Sequence, residues 1–183
     1  LWILFASIWG FGAALDFGFG TSLVKYVAEY DKFEKENINK LLSTSFFIFI
    51  AAGAVLFILG NAAAELFYFS DKNIIQPEEL LLFKKAFSVL GVGFIIQYIT
   101  IFYKSTLEGL NNFVITSKIN LLNNLFVLLG VVIVSVLGKS ILYLSIVYLV
   151  SYLLTFIIYL FVFRFSYPQF IISITNFSFD NIK

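Results

Sequence analysis

The chain has 183 residues, of which 61% are apolar and only 13% are charged. Because a soluble domain carries nearly twice that share of charged residues, the composition excludes a soluble globule and predicts a protein of the lipid bilayer. The chain has no cysteine, no histidine and a net charge of +1, which excludes disulfides, thiolate or histidine metal sites and catalytic triads, and gives no sign of nucleic-acid binding.

The spacing of the charged residues predicts five membrane spans. After Lys40, four uncharged stretches of 18 to 24 residues lie between charged positions, and roughly 20 apolar residues cross a bilayer core as a helix. These stretches are too long to be barrel strands of about 10 residues. The sequence therefore predicts an all-α, polytopic transmembrane helix bundle with spans at about 1–28, 41–65, 82–106, 116–137 and 140–163.

The first predicted span carries an acidic residue, Asp16, with no basic residue one turn to either side. An unpaired carboxylate inside a membrane is by default a hypothesis for a functional site. Two structural interpretations stand beside it. In the first, Asp16 is protonated and hydrogen-bonded to a neighbouring helix. In the second, the helix breaks at Gly18 and Gly20, and the break brings water close to Asp16.

Short connections join the spans and leave no room for an extramembrane catalytic domain. They are a charged linker at 31–40, a turn-rich connection at 67–79, and links at 109–113 and 138–140. If the spans alternate in direction, the linkers at 25–40 and 104–118 and the tail after 164 share one side, which carries 8 of the 12 basic residues. The positive-inside rule makes that side cytoplasmic, including the stretch 166–183. The absence of an initial Met predicts an internal piece of a longer protein.

Polar residues share one face of each of the last three spans when residues are placed at about 100° per step. Such faces either bond helix to helix, as small and hydroxylic side chains often do, or line a water-filled cavity. The cavity fits Lys104, Glu108 and the asparagines better, because a buried polar group without a partner is costly. Lys104 and Glu108 are also spaced to pair along their own helix, and an interfacial position fits them equally, since they end a span and Lys can snorkel. The faces consist of Gly93, Gln97, Thr100, Lys104 and Glu108; of Thr116, Ser117, Asn120, Asn123 and Asn124; and of Tyr148, Ser151, Tyr152, Thr155 and Tyr159.

Three stretches of the chain resemble bacterial polysaccharide flippases of the multidrug/oligosaccharidyl-lipid/polysaccharide exporter superfamily. The run Leu15-Asp-Phe-Gly-Phe-Gly, followed by Lys25 and by Ala28-Glu29, is similar to the end of that family's second transmembrane helix. Residues 38–44 resemble the opening of its next helix, and residues 107–113 resemble the loop after its fourth. The resemblance implies that residues 1–165 are a partial N-terminal lobe, helices two to six of a two-lobe transporter, and that 166–183 lead towards the second lobe.

The same resemblance implies that the protein flips an undecaprenyl-linked oligosaccharide or polysaccharide repeat unit across the bacterial cytoplasmic (inner) membrane by alternating access. The implied partners are the lipid-linked glycan, membrane lipids and the glycan polymerase machinery, with no cofactor, metal or nucleic acid. In such a lumen, tyrosines would stack on sugar rings, asparagines would bond sugar hydroxyls and lysines would meet phosphate. The candidate lumen residues are Asp16, Lys25, Gln97, Thr100, Lys104, Glu108, Asn120, Asn124, Tyr148, Tyr152 and Tyr159.

Three other functions stay open at this point. A multidrug exporter of the same superfamily, coupled to sodium or protons, needs carboxylates within its helices, and Asp16 is the candidate here. A membrane polymerase or ligase usually places catalytic Arg, His or Asp on a large outer loop, whereas the longest outer loop, at about 67–79, has no Arg or His. A structural or channel-forming protein is disfavoured by the asymmetric polar faces.

Overall fold

The structure, a computed structural model, describes residues 18–30, 35–70 and 77–176. Most of these residues are helical. No strand occurs in these ranges, so the predicted all-α fold class is confirmed. The elements are α1 (Phe19–Tyr30), α2 (Lys35–Ser70), α3 (Pro77–Gly109), α4 (Phe113–Val136), α5 (Ile141–Ser166) and a short 3-10 helix (Ile174–Asn176).

Four helices are long and apolar enough to cross a membrane. At 1.5 Å per residue, α2 and α3 are each about 50 Å long, against a hydrocarbon core of about 30 Å, so their ends extend beyond the core. The chain is therefore a multi-pass membrane protein. The predicted first span, 1–28, lies mostly outside the described residues, and α1 is its described part. The spans are Asn37–Ala62, Leu81–Gly109, Phe113–Val136 and Ile141–Ser166.

Helices α2 and α3 extend beyond the predicted spans, whose ends were placed from charged residues. Helix α2 begins inside the predicted linker at 31–40 and runs to Ser70, and α3 begins at Pro77 inside the predicted connection at 67–79. Charge ends a membrane span but does not end a helix, because Lys and Glu are good helix formers. Proline at the first helical position is also favourable, since its missing N–H has no intrahelical partner there.

The two short turns lie where the sequence predicts them, at Leu110–Asn112 and Leu137–Ser140. Each contains a residue in the left-handed region, Asn111 with φ 61° and Gly138 with φ 59°. In both turns the next amide bonds back five residues, as in a Schellman motif, from Asn112 to Leu107 at 2.9 Å and from Lys139 to Val134 at 3.1 Å. These caps satisfy the last carbonyl groups of α3 and α4 and reverse the chain within a few residues.

Helix α3 is the central element of the bundle. It packs against α1, α2 and α5, whereas α4 packs mainly on α5. Accordingly, 56% of the membrane window of α3 is buried, compared with 11% of that of α4. A close approach fixes α1 on the end of α3, because a Cβ added at Gly109 would lie only 2.7 Å from Cβ of Val27. Helix α4 therefore exposes most of its apolar surface to whatever surrounds the bundle.

An aromatic core occupies the half of the bundle near the α3–α4 turn. Phe102 is fully buried there, with its ring centroid 5.3 Å from that of Phe46 and 5.1 Å from that of Tyr103, both edge to face. Tyr103 continues the contact to Phe163 of α5 at 5.4 Å. Edge-to-face pairs place the positive rim of one ring against the negative face of the next, so this cluster holds α2, α3 and α5 together.

The segment after α5 folds back over the same end of the bundle instead of leaving it. We name Tyr167–Asn176 the strap and this end of the bundle the strap end. Phe170 is buried against Phe163, with ring centroids 6.2 Å apart, and the side-chain amide of Asn112 donates to the hydroxyl of Tyr167. The strap thereby joins the core cluster and contacts the α3–α4 turn.

Candidate functional site

The polar faces of α4 and α5 meet each other along what we name the α4–α5 seam, formed by Thr116, Asn120 and Asn123 with Ser151, Thr155 and Tyr159. At its centre, Oδ1 of Asn123 accepts hydrogen bonds from the hydroxyls of Ser151 and, at 2.8 Å, Thr155. Thr155 also reaches the carbonyl of Ser151 in its own helix at 2.8 Å. For these residues the structure shows helix-to-helix hydrogen bonds, the first of the two interpretations given above.

One turn nearer the strap end, Tyr159 makes the second contact of the seam. Its ring is fully buried, and its hydroxyl lies 3.1 Å from Oδ1 of Asn120 and 3.2 Å from the carbonyl oxygen of Thr116. The structure therefore brings two candidate residues, Asn120 and Tyr159, into direct contact. In this arrangement the hydroxyl of Tyr159 is turned towards α4, so its availability to a ligand depends on separation of the two helices.

The α4–α5 seam opens on one side into a groove of about 240 Å³. Asn123, Ser151 and Thr155 are among its lining residues, and the others are apolar. In a membrane protein such a groove meets lipid or another helix. The remaining lining residues are Ile119, Leu122, Phe126, Leu154 and Ile158.

The predicted polar face of α3 turns towards α5 in its middle part. A Cβ added at Gly93 would lie 3.0 Å from Cδ2 of Tyr152, which shows how closely the two helices pack. Thr100 is buried and donates to the carbonyl of Ile96 in its own helix at 2.8 Å. Gln97 differs, since its Oε1 is buried and is the one such side-chain atom without a hydrogen-bond partner among the described residues.

The charged end of the α3 face stays partly open at the strap end. Nζ of Lys104 lies 3.9 Å from Oε1 of Glu108, and their side chains are 38% and 21% exposed. A pair at this separation and exposure holds its geometry weakly, so both groups remain accessible. Lys25 on α1 forms a similar but more exposed pair with Glu29, also at 3.9 Å. The structure places Lys25 on a different helix from the other candidate lysine and in no contact with the α4–α5 seam.

The remaining candidates are distributed over both halves of the bundle. Tyr148 and Tyr152 are neighbours on α5 with ring centroids 6.3 Å apart, and Tyr148 packs against a second group of buried apolar residues, Phe83, Ala86, Phe87 and Leu90 of α3. Asn124 is exposed on α4, and its side chain forms no hydrogen bond with the described part of the chain. Asp16 lies outside the described residues.

Of the two glycines at which a helix break was considered, Gly18 adopts a left-handed conformation and Gly20 lies within α1. Gly18 has φ +75°, and α1 begins at Phe19. Its carbonyl accepts from the hydroxyl of Thr21 and from the amide of Ser22, each at 2.9 Å. A glycine is suited to this position because it adopts positive φ without the penalty of a Cβ.

Two polar contacts of the structure involve residues that the sequence analysis did not select as candidates. At the far end from the strap, Lys84 of α3 pairs with Glu65 of α2, and the hydroxyl of Ser88 donates to Oδ1 of Asn61 at 3.0 Å. Sequence reasoning treated these charges only as limits of spans, although opposite charges near the facing ends of successive helices are a usable signal. Within residues 18–30, 35–70 and 77–176, no cluster of three or more acidic, cysteine or histidine side chains forms a metal site.

This helical bundle, with polar seams and short turns, defines a transporter-like, multi-pass membrane protein. The sequence model of the family described as "Polysaccharide biosynthesis protein" matches residues 12–183. The match covers nearly the whole chain, and the chain belongs to this family. The family resemblance drawn from the motif around Asp16 is thereby confirmed. No curated protein and no solved structure matches the chain.

Proposed function

We propose that the protein transports a lipid-linked oligosaccharide or polysaccharide repeat unit across the bacterial cytoplasmic membrane by alternating access, as the resemblance to flippases implies. Membership of a polysaccharide biosynthesis family supports the substrate class. The observation that favours transport over catalysis is the shortness of the turns. Only Leu110–Asn112 joins α3 to α4, and only Leu137–Ser140 joins α4 to α5, so neither connection holds a catalytic domain.

The chemistry of the substrate matches what the strap end offers. A sugar-phosphate head crosses the hydrocarbon core at a cost that falls when hydrogen bonds and opposite charge replace its hydration. Lys104 supplies a partly exposed cation there, and Asn120 supplies an amide at the edge of the α4–α5 seam. The lysine would meet phosphate and the amide would bond sugar hydroxyls, while the lipid chain stays in the membrane.

The competing exporter function depends on carboxylates inside the membrane. Within the four described spans the single carboxylate is that of Glu108, and it lies beside Lys104. A paired carboxylate at the end of a span is a weaker site for a coupling cation than an unpaired one near its middle. Asp16, the other candidate carboxylate, lies outside the described residues, so we place lipid-linked glycan transport first because of family membership and keep drug export as an outcome of the test.

The experiment compares vesicles with and without the full-length protein for movement of an undecaprenyl-linked glycan from one leaflet to the other. We expect the glycan to become accessible to an impermeant reagent on the far side only when the protein is present. Its mass should be unchanged, because transport alters no covalent bond. A changed mass would indicate an enzyme, and efflux of cationic dyes without glycan movement would indicate a drug exporter.

A matched pair of lysine variants tests the site. Lys104→Gln should lower the transport rate about five- to ten-fold, a loss of about 1–1.4 kcal/mol at 1.4 kcal/mol per factor of ten. Lys118→Gln should leave the rate within two-fold, because Lys118 is exposed on α4 at the same end and belongs to none of the polar contacts described above. Equal effects of the two substitutions would contradict a specific role for Lys104.

A further inference from the structure

The strap connects two helices that lie on different sides of the central helix. Helices α2 and α5 each pack extensively on α3 rather than on each other. The strap leaves the end of α5, crosses the strap end of the bundle and reaches the first turns of α2. It therefore joins α2 to α5 by a route that does not pass through α3.

The contact between the strap and α5 is apolar and buried. Phe170 is 7% exposed and lies between two aromatic rings, with its centroid 6.2 Å from that of Phe163 and 5.7 Å from that of Tyr167. Ile172 packs against the same cluster. Release of this contact would expose a large aromatic side chain to water, so the strap stays attached to α5 under ordinary fluctuations.

The contact between the strap and α2 is of a different kind, because hydrogen bonds form it. The amide of Ile171 donates to Oδ1 of Asn39 at 3.1 Å, and the amide of Ser173 donates to Oγ of Ser43 at 3.1 Å. Asn39 and Ser43 are four residues apart and so share one face of α2. The bond to Asn39 is exposed and the bond to Ser43 is partly buried, so this contact costs less to open than the buried aromatic contact with α5.

The strap keeps its own shape independently of α2. The hydroxyls of Ser173 and Thr175 lie 2.8 Å apart, and the side-chain amide of Asn176 donates to the carbonyl of Ile171 at 3.4 Å. When the bonds to α2 open, the segment therefore remains an ordered element on α5. Ser43 is fully buried while the strap is docked, so its accessibility reports the opening directly.

We propose that Tyr167–Asn176 is a latch between α2 and α5, held permanently on α5 by Phe170 and reversibly on α2 by Asn39 and Ser43. Closed, it fixes the two helices relative to each other at the strap end; open, it lets them separate there. The predicted orientation makes this end cytoplasmic, and the role of the latch in the transport cycle rests on the proposed function. Opening of the latch then accompanies opening towards the cytoplasm.

Cross-linking tests the latch, because the 183 residues contain no cysteine and every introduced thiol is unique within them. In the full-length protein, Ser43→Cys combined with Ser173→Cys should form a disulfide on mild oxidation, seen as loss of labelling by a maleimide polymer. Glycan transport should then fall at least five-fold and recover with reductant. The matched control is Ser173→Cys with Thr175→Cys, which cross-links the strap to itself and should leave transport within two-fold.

Two outcomes of the cross-linking would overturn the proposal. Unchanged transport in the oxidised Ser43→Cys/Ser173→Cys protein would show that the latch does not need to open. Failure of the disulfide to form, while both thiols react with maleimide, would show that the strap does not dock on α2. A loss of transport in the control as large as in the test pair would also refute it.

A second measurement decides the latch without any transport assay. The thiol of Ser43→Cys should react with maleimide at least ten-fold more slowly than that of Ser117→Cys, since Ser117 is exposed on α4. Adding Asn39→Ala should raise the rate at Ser43→Cys at least three-fold, and an unchanged rate would contradict the latch. If the wild-type protein moves no glycan, the proposed function fails, but these rates still show whether the latch exists.

Discussion

The side chain of Asn123 joins α4 to α5 through two hydrogen bonds, and its replacement by leucine measures the α4–α5 seam. Its Oδ1 accepts from Ser151 and Thr155. Hydrogen bonds between membrane helices contribute about 0.6 kcal/mol on average and about 1.7 at most, so the loss of two that share one acceptor should cost about 1–2 kcal/mol. Thr155 retains its bond to the carbonyl of Ser151 and limits the loss.

Thermal unfolding of the purified protein in detergent micelles is a suitable assay. For a chain of this size, 1 kcal/mol corresponds to about 2–4 °C, so Asn123→Leu should lower the unfolding temperature by about 2–8 °C. The matched control is Asn124→Leu, which makes the same chemical change at the adjacent, exposed position. It should leave the temperature unchanged or raise it slightly, because it adds apolar surface and removes no hydrogen bond formed within the described residues.

Two results would refute the reasoning about the α4–α5 seam. Equal decreases in the unfolding temperature for Asn123→Leu and Asn124→Leu would show that the decrease comes from loss of an amide at either position and not from loss of the hydrogen bonds of the α4–α5 seam. No decrease for Asn123→Leu would show that the two hydroxyls find other acceptors at no cost. Combining Asn123→Leu with Thr155→Val separates the pairwise contribution, and the double variant should lose less than the sum of the single losses.

Substitutions followed by thermal unfolding test three further contacts. Gly109→Ala should destabilise the fold by about 1–3 kcal/mol, because the added Cβ overlaps Val27, and Val27→Ala should restore little of the loss, because alanine keeps the Cβ that lies 2.7 Å away. Tyr159→Phe should lower the free energy of unfolding by about 1 kcal/mol, because it removes only the hydroxyl. Tyr159→Ala should lower it by about 3–5 kcal/mol, because it also leaves a cavity. Similar losses for the two variants would contradict the assignment of the hydroxyl bonds. Lys84→Ala should cost less than about 1 kcal/mol, since Lys84 and Glu65 are nearly half exposed, and a salt-independent loss would argue against the ion pair.

The sequence predicted the spans well because the bilayer imposes their length. Uncharged stretches of 18 to 24 residues correspond to four long helices in the structure. The helix ends were predicted less well, because a charged residue can leave the hydrocarbon core while the helix continues. Helix α2 shows this at both of its ends, starting at Lys35 and ending at Ser70.

For the candidate site, periodicity predicted which side chains share a helix face but not what the face contacts. Asn120 and Tyr159 were both selected from their angular positions, yet only the packing of α4 on α5 shows that they bond each other. The strap could not have been predicted, since Phe170 lies in an irregular segment with no period. Its burial depends on an aromatic cluster that three separate helices assemble.

The short turn between α4 and α5 has a consequence for how the protein enters the membrane. An unsatisfied polar group in the hydrocarbon core costs several kcal/mol, and α4 carries three asparagines within five positions, ending at Asn124. Because four residues separate the two helices, α5 follows α4 directly during synthesis and supplies hydroxyl partners for Asn120 and Asn123. Insertion of the hairpin is thus expected to be more favourable than that of α4 alone, a difference that glycosylation mapping of the two segments in microsomes would measure.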